Sequence, residues 1–129
     1  MDNVRWKVFD PLGNEICLSE ENLKYHITGT HDDKDARTRE RIEEQVKYSL
    51  QNPRFIFKDK DSETRRVYID FVDTLNDDII SIRPLFIVVE NTNEIVTWFA
   101  KRTVKINVKE DGGILYDGRL HNLQIRQKV

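Results

Sequence analysis

The sequence has few of the features that mark a disulfide-bonded, zinc-binding or membrane-spanning protein. It contains a single cysteine, Cys17, which excludes an internal disulfide and a zinc site built from cysteines. No apolar run approaches the length that crosses a membrane. The first residues lack the charged-then-apolar layout of a signal peptide. We therefore expect a cytoplasmic protein that makes no membrane contact.

The chain also lacks an excess of positive charge. Its formal net charge is −2, whereas a strongly basic nucleic-acid binder would carry a clear positive surplus. Any contact with nucleic acid must therefore rest on local patches. Residues 54–66 carry two more basic than acidic side chains, and residues 94–109 carry three more. Charged residues make up 34% of the chain and hydrophobic residues 38%, which indicates a globular domain with a well-solvated surface.

The first part of the chain predicts a β-hairpin followed by two helices. Ser19 is a good N-cap, and Gly29 would end the helix that follows it. Pro53 would end the second helix, because the residue before a proline disfavours helical geometry. The predicted elements are strands over residues 4–9 and 15–18, around a turn at 10–14, and helices over residues 20–27 and 31–51.

The second predicted helix has one apolar and one charged side. Ile42, Val46 and Leu50 recur at intervals of four residues and should be buried against a sheet. Glu43 and Lys47 have the spacing of an intrahelical ion pair. We interpret the charged side as solvent-exposed; its residues are Arg37, Arg39, Glu40, Arg41, Glu43, Glu44 and Lys47.

The rest of the chain reads as a run of strands joined by short turns, which favours antiparallel neighbours. Residues 85–89 form the most continuous apolar run and should be a central strand buried on both faces. The predicted strands cover residues 55–58, 65–71, 79–82, 85–89 and 94–101. The fold class is α+β, with the hairpin and two helices packed on an antiparallel sheet of about four strands. We expect one domain over residues 1–129, with a core over 4–104 and a C-terminal extension over 105–129 that includes a small strand at 114–116.

Side chains suited to chemistry are sparse. The chain has no GxGxxG, Walker, CxxC or HExxH motif, so the sequence predicts neither a nucleotide cofactor nor a zinc protease site. His26 and His31 lie in a polar elbow between the two predicted helices. The other candidates are Arg66 and Tyr68 on one strand and Thr97 and Lys101 on another. We expect His26, Arg66, Tyr68 and Thr97 to converge on one cleft.

The order of these segments resembles the phage-type branch of the barnase–EndoU–colicin–RelE (BECR) fold, a family of metal-independent ribonucleases and toxin-like nucleases of phages and mobile elements. The resemblance covers roughly residues 4–101 and lies in the order of the motifs. Those motifs are Tyr25-His26-Ile27 with His31, then Leu50-Gln51-Asn52-Pro53-Arg54-Phe55-Ile56, then Arg66-Val67-Tyr68, then Leu85-Phe86-Ile87-Val88-Val89, then Ile95-Val96-Thr97-Trp98. The proline that often follows the family's second histidine is absent here.

The resemblance implies an endoribonuclease that uses no cofactor. It marks His26, His31, Arg66, Tyr68 and Thr97 as catalytic residues. RNA supplies its own nucleophile, the 2′-OH, so cleavage needs a base, an acid and donors or cations for the phosphorane. Lys58, Lys101 and Trp98 are the residues expected to bind substrate. The expected partners are RNA, single-stranded or tRNA-like, and a protein inhibitor.

The sequence is also compatible with two other interpretations. The first is a non-catalytic phage or prophage module that keeps the fold and binds a protein, which suits the negative net charge. The second is metal binding through His26 and His31 with Asp32 or Asp33, although this spacing matches no standard site.

Overall fold

The computed structural model describes residues 3–29, 33–76, 78–105 and 113–119. Two layers face each other: helices with an N-terminal hairpin on one side, and a five-stranded antiparallel sheet on the other. The predicted α+β class is confirmed. The elements are β1 (Val4–Phe9), β2 (Glu15–Ser19), α1 (Glu20–Asn22), a π-helix (Leu23–Thr28), α2 (Asp33–Arg41), α3 (Glu43–Gln51), β3 (Phe55–Lys58), β4 (Arg65–Asn76), β5 (Ile79–Glu90), β6 (Ile95–Ala100) and β7 (Ile114–Asp117).

The N-terminal hairpin forms as predicted, and Asp10 organises its turn. The Asp10 carboxylate is buried and accepts hydrogen bonds from the backbone N–H groups of Leu12, at 3.0 Å, and Asn14, at 2.8 Å. Gly13 has a φ of +89°, a conformation that favours glycine. The turn therefore fixes Asp10 in one position below the sheet.

The first predicted helix forms, but most of it is a π-helix. Ser19 caps α1 by accepting a hydrogen bond of 3.1 Å from the Asn22 N–H. The wider π turn is supported at its end, where the Thr28 hydroxyl donates to the carbonyl of Leu23 at 2.8 Å. At Gly29 a Cβ atom would lie only 1.9 Å from the Lys24 carbonyl oxygen, so only glycine permits this close approach.

The single helix predicted over residues 31–51 is divided into α2 and α3. The break is at Ile42, whose φ of −93° and ψ of 6° depart from helical values. The apolar stripe is nevertheless confirmed, because Ile42, Val46 and Leu50 are all buried in the core. The break lets Ile42 point into the core while the next residue, Glu43, faces the hairpin.

The prediction of a solvent-exposed Glu43 paired with Lys47 is wrong. Glu43 is 8% exposed and accepts hydrogen bonds from the Arg5 Nε, at 2.6 Å, and the Trp6 indole N–H, at 2.7 Å. Lys47 pairs instead with Glu44 at 3.3 Å. Helical periodicity identified a charged side but not the hairpin that packs against part of it.

Replacing Glu43 with glutamine is expected to lower the melting temperature at neutral pH. Burial raises the pKa of the Glu43 carboxyl, but hydrogen bonds from Arg5 and Trp6 outweigh it and lower the pKa below the ordinary value of 4.5. Its stabilising contribution is therefore present above about pH 4.5 and is lost as pH falls through the lower pKa of the folded state.

Thermal denaturation of the wild type and Glu43→Gln over a descending pH series measures this effect. The difference in melting temperature should shrink below the ordinary carboxyl pKa. Glu44→Gln is the matched control, because the Glu44 side chain is 82% exposed. A difference that stays constant across the series would contradict the assignment.

The strand order in the sheet is β6-β5-β4-β3-β7. The two segments predicted at 79–82 and 85–89 form one strand, β5, which continues through Pro84. Proline is tolerated there because the N–H that it lacks would face the β6 side, where pairing with β6 begins only at Leu85. On the same side its carbonyl accepts from the Lys101 N–H at 2.9 Å. The expectation of a strand buried on both faces is wrong: Leu85 and Ile87 are buried, whereas Phe86 on the other face is half-buried.

The two faces of the sheet have different surroundings. The inner face packs on α3 and includes Tyr68, Ile87 and Trp98, which are neighbours across three strands. The outer face is defined by the alternating residues on the opposite side: Phe55, Phe57, Thr97, Val67, Ile69, Phe71, Phe86, Val88 and Phe99. The predicted C-terminal strand is confirmed as β7, and it pairs with β3 at the sheet edge. In the described part of the chain, no helix is long and apolar enough to span a membrane.

Candidate functional site

A groove of about 320 Å³ lies on the outer face. Its floor contains the rings of Phe86 and Phe99, which stack with centroids 5.5 Å apart and an interplanar angle of 11°. The chain that follows β6 contributes Val104 and Lys105 to the wall. The aromatic and aliphatic residues of the groove are accompanied by four lysines and two aspartates, which are Lys58, Lys60, Lys101, Lys105, Asp59 and Asp61.

Basic side chains lie over the aromatic rings of this face. The Lys101 ammonium is 4.9 Å from the centroid of Phe86 and 5.4 Å from that of Phe99. The Arg119 guanidinium is 4.7 Å from the centroid of Phe55. Such contacts hold cations beside flat apolar surfaces. A flat ring with a cation next to it is the arrangement that binds a nucleic-acid base and its phosphate together.

Thr97 lies on this outer face, close to the edge of the sheet. Its hydroxyl accepts a hydrogen bond of 3.0 Å from the Arg39 Nη1 of α2. The Arg39 carbonyl in turn accepts from the Trp98 indole N–H at 3.0 Å. Trp98 itself is fully buried on the inner face, so the side chain expected to bind substrate belongs to the core. Its structural role is to hold α2 and Arg39 beside Thr97.

Arg66 and Tyr68 take part in a different, partly buried network under the sheet. The Tyr68 hydroxyl donates to the Asp10 carboxylate and accepts from the Arg66 Nε at 2.8 Å. Arg66 also donates to the Glu90 carbonyl at 3.3 Å and to the Asn93 side-chain oxygen at 2.5 Å. This network ties the β1–β2 turn to β4 and to the β5–β6 turn.

The environment of Tyr68 opposes ionisation of its hydroxyl. Burial raises the pKa of Tyr68 well above its usual range, and the hydrogen bond to Asp10 raises it further, against a smaller lowering by Arg66. Tyr68 is 0% exposed. Because Tyr68 faces inward and Thr97 faces outward, the sheet separates them, and the single cleft expected from the sequence does not form between them.

Of the two elbow histidines, the structure describes only His26. His26 is exposed and lies on the π-helix, which packs against both β6 and α2. The π-helix thus adjoins the elements that carry Thr97 and Arg39. His31 and Asp32 lie outside the described residues, and so does the start of the predicted second helix. Among the residues that the structure describes, no three His, Cys, Asp or Glu side chains are grouped as a metal site would require.

Three residues that contact the predicted site residues were not identified as site residues from the sequence. Asp10 and Asn93 partner Tyr68 and Arg66, and Arg39 partners Thr97. Asp10 and Asn93 were recognisable only as turn residues. Arg39 was one of several arginines in a charged helix, and nothing in its spacing separates it from Arg37 or Arg41.

A model of a known protein family matches most of the chain. The family model described as phage-Barnase-EndoU-ColicinE5/D-RelE like nuclease2 matches residues 6–117. The match runs past Lys101 and includes β7, which the structure also includes in the sheet. Comparisons with curated proteins and with solved structures found no match. Since the matched residues cover most of the sequence, including every strand of the sheet, the chain belongs to this phage-type BECR-like nuclease family.

Proposed function

We propose that the protein is a metal-independent endoribonuclease that binds RNA along the outer face of its sheet and cleaves it by attack of the 2′-OH. The observation that carries this proposal is the stacked Phe86–Phe99 pair with Lys101 over both rings. Aromatic surfaces accept unpaired bases regardless of sequence, while adjacent cations accept the backbone. Single-stranded RNA, or the loop of a tRNA-like molecule, has such bases available.

The edge of the groove is the proposed place for the scissile phosphate. Arg39 offers guanidinium donors that match phosphate oxygens, and Thr97 orients it through a hydrogen bond. Arg39 reaches Thr97 on the edge strand β6 from α2, and both α2 and β6 pack against the π-helix that carries His26. A phosphate bound by Arg39 would therefore gain charge stabilisation as the phosphorane forms.

The acid and base are assigned to the elbow. His26 and His31 are the two histidines of this segment, and imidazole can accept or donate a proton near neutral pH. One removes the 2′-OH proton, and the other protonates the leaving 5′-oxygen. Because the nucleophile belongs to RNA itself, this chemistry needs no metal-activated water.

Arg66 and Tyr68 have a positioning role in this proposal. Their polar atoms are engaged with Asp10, Glu90 and Asn93 beneath the sheet. The network fixes the hairpin against β4 and keeps the turn after β5 in place. The network affects the outer face only by keeping β4 and the turn after β5 in position.

The purified protein is expected to cleave single-stranded RNA at an unchanged rate in excess EDTA. Its products should end in a 2′,3′-cyclic phosphate, because the attacking 2′-oxygen remains bonded to phosphorus. A DNA oligonucleotide of the same sequence lacks that nucleophile and should survive. The measurement is separation of end-labelled products, with the cyclic end identified by mass.

Lys101→Ala is expected to weaken the binding of single-stranded RNA and to reduce the salt dependence of that binding, because each lost phosphate contact lowers the salt slope by about 0.7 for single strands. Titration of the protein into a labelled RNA at several salt concentrations measures this effect. Lys7→Ala is the matched control, since Lys7 is on the N-terminal hairpin and pairs with Glu15 at 3.3 Å. A folded wild type that cleaves no RNA between about pH 5 and pH 8, where histidines titrate, would favour the protein-interaction module instead.

A further inference from the structure

The hairpin of β4 and β5 extends beyond the rest of the sheet. These strands pair along twelve residues each, from Arg65 with Glu90 to Asn76 with Ile79. Strand β3 covers β4 only as far as Ile69, and β6 covers β5 only from Leu85 onward. The projecting part, which we call the arm, comprises the strand residues 70–76 and 79–84.

The arm exposes a row of isoleucines. Ile79 is 65% exposed, and Ile80 and Ile82 are each 71% exposed. Single exposed apolar residues are common on protein surfaces, but three in four consecutive positions on a projecting strand are not scattered. Ile80 and Ile82 have the same alternation as Phe86 and therefore face the outer side of the sheet.

One edge of the arm is closed by a side chain. The Gln45 amide donates to the Asp73 carbonyl at 3.3 Å and accepts from the Asp73 N–H at 3.1 Å. This two-way contact takes the place of a neighbouring strand on β4. Asp73 lies opposite Ile82 in the ladder. Since Asp73 directs its backbone groups away from β5, Ile82 must direct its own away from β4.

On the other edge of the arm, no strand among the described residues pairs with β5. The Pro84 carbonyl accepts from Lys101, which shows that even-numbered residues of β5 point their backbone groups toward the β6 side. Within the described ranges, no strand pairs with β5 on that side before Leu85. The N–H and C=O groups of Ile80 and Ile82 thus lie at an edge that no described strand covers, beside exposed apolar side chains. Such an edge is a template for another strand.

We propose that this edge pairs with the same edge of a second copy of the chain, antiparallel and centred on Ser81. In that register Ile80 exchanges both backbone hydrogen bonds with Ile82 of the partner subunit, and the reverse pair is identical. The four isoleucine side chains form one apolar cluster on the outer side. Because the pairing is isologous, it closes at two chains.

The charges of the arm fit this register. Arg83 would lie opposite Ile79 of the partner subunit, beside the partner's Asp78. Asp78 and Arg83 are separated by five positions on one chain, and the two-fold axis brings each next to the other's copy. A parallel arrangement would instead place like residues side by side, arginine against arginine. The antiparallel pairing therefore satisfies both the hydrogen-bonding groups and the charges.

A disulfide can test the register directly. Residues 81 of the two copies would form a non-hydrogen-bonded pair, with Cα atoms about 4.5 Å apart, which is within the range of a disulfide of about 4.4–6.8 Å. Ser81→Cys in a Cys17→Ser background should therefore give a covalent dimer under mild oxidation. Thr92→Cys in the same background is the control, since Thr92 is exposed in the turn between β5 and β6.

Ile82→Pro tests the backbone contribution. Proline removes the N–H that faces the open edge and leaves the ladder with β4 intact, as Pro84 already does two residues later. Sedimentation over a concentration series should show a wild-type dimer and an Ile82→Pro monomer, with equal far-UV circular dichroism. Ile80→Lys should also give a monomer, through the loss of the apolar cluster.

Two outcomes of these experiments would overturn the proposal. A wild type that remains a monomer at every concentration, with no more cross-linking at position 81 than at position 92, overturns the proposal. A dimer that survives both Ile82→Pro and Ile80→Lys places the interface elsewhere and also overturns it. Neither result depends on nuclease activity, because all readouts are of mass and covalent linkage.

Discussion

His26→Ala is expected to lower the rate of RNA cleavage by about a hundredfold or more, the usual contribution of a general acid or base. The side chain is exposed on the π-helix, next to the elements that carry Thr97 and Arg39. Removing it should leave the core intact. The measurement is the single-turnover rate with saturating protein, which separates chemistry from binding.

The control for this variant is another histidine of the same chain. His121 lies beyond the residues that match the nuclease family, so His121→Ala should cleave at the wild-type rate. The pH–rate profile adds a second readout, because the loss of a general acid or base removes one limb of the curve. Equal rates for His26→Ala and the wild type would remove His26 from the mechanism.

Leu50→Ala is expected to lower the free energy of unfolding by about 2–5 kcal/mol, the range for a fully buried leucine that leaves a cavity. Leu50 is 0% exposed and lies in the core cluster with Tyr68 and Leu85. The loss combines the transfer free energy of the removed atoms with the cost of imperfect collapse around the site. Urea denaturation followed by circular dichroism measures it.

Tyr48→Ala is the matched control in the same helix. Tyr48 is 65% exposed, so the free energy of unfolding should change by less than about 0.5 kcal/mol, as for most surface substitutions. If Leu50→Ala and Tyr48→Ala shifted the urea midpoint equally, α3 would not be docked through the stripe of Ile42, Val46 and Leu50.

The sequence determined much of the local structure, because caps, turns and apolar stripes depend on residues that are close together in the chain. Ser19 caps its helix, the turn at Asp10 forms, and the stripe of Val46 and Leu50 is buried. Each depends on a residue's own backbone preference or on spacing along one element. The order of motifs likewise indicated the BECR-like nuclease family, which the family match then showed.

Alternation along a strand separates two faces but does not say which one is covered. In β4 the alternation set Tyr68 apart from Val67 and Ile69 in the sequence. The helices cover the side that carries Tyr68, so the residue with a hydroxyl is fully buried while Val67 faces the outer groove. Burial of this tyrosine depends on Asp10 and Arg66, which satisfy its hydroxyl from distant parts of the chain.

The sequence by itself determined the class of fold and the family, whereas tertiary structure decided which side chains share a surface. Thr97 contacts Arg39, which is 58 positions away in the sequence, and Glu43 contacts Arg5, which is 38 positions away. Spacing in sequence carries no information about such pairs. They depend on how helices and hairpin dock on the sheet, and docking is set by the burial of the whole core rather than by any one motif.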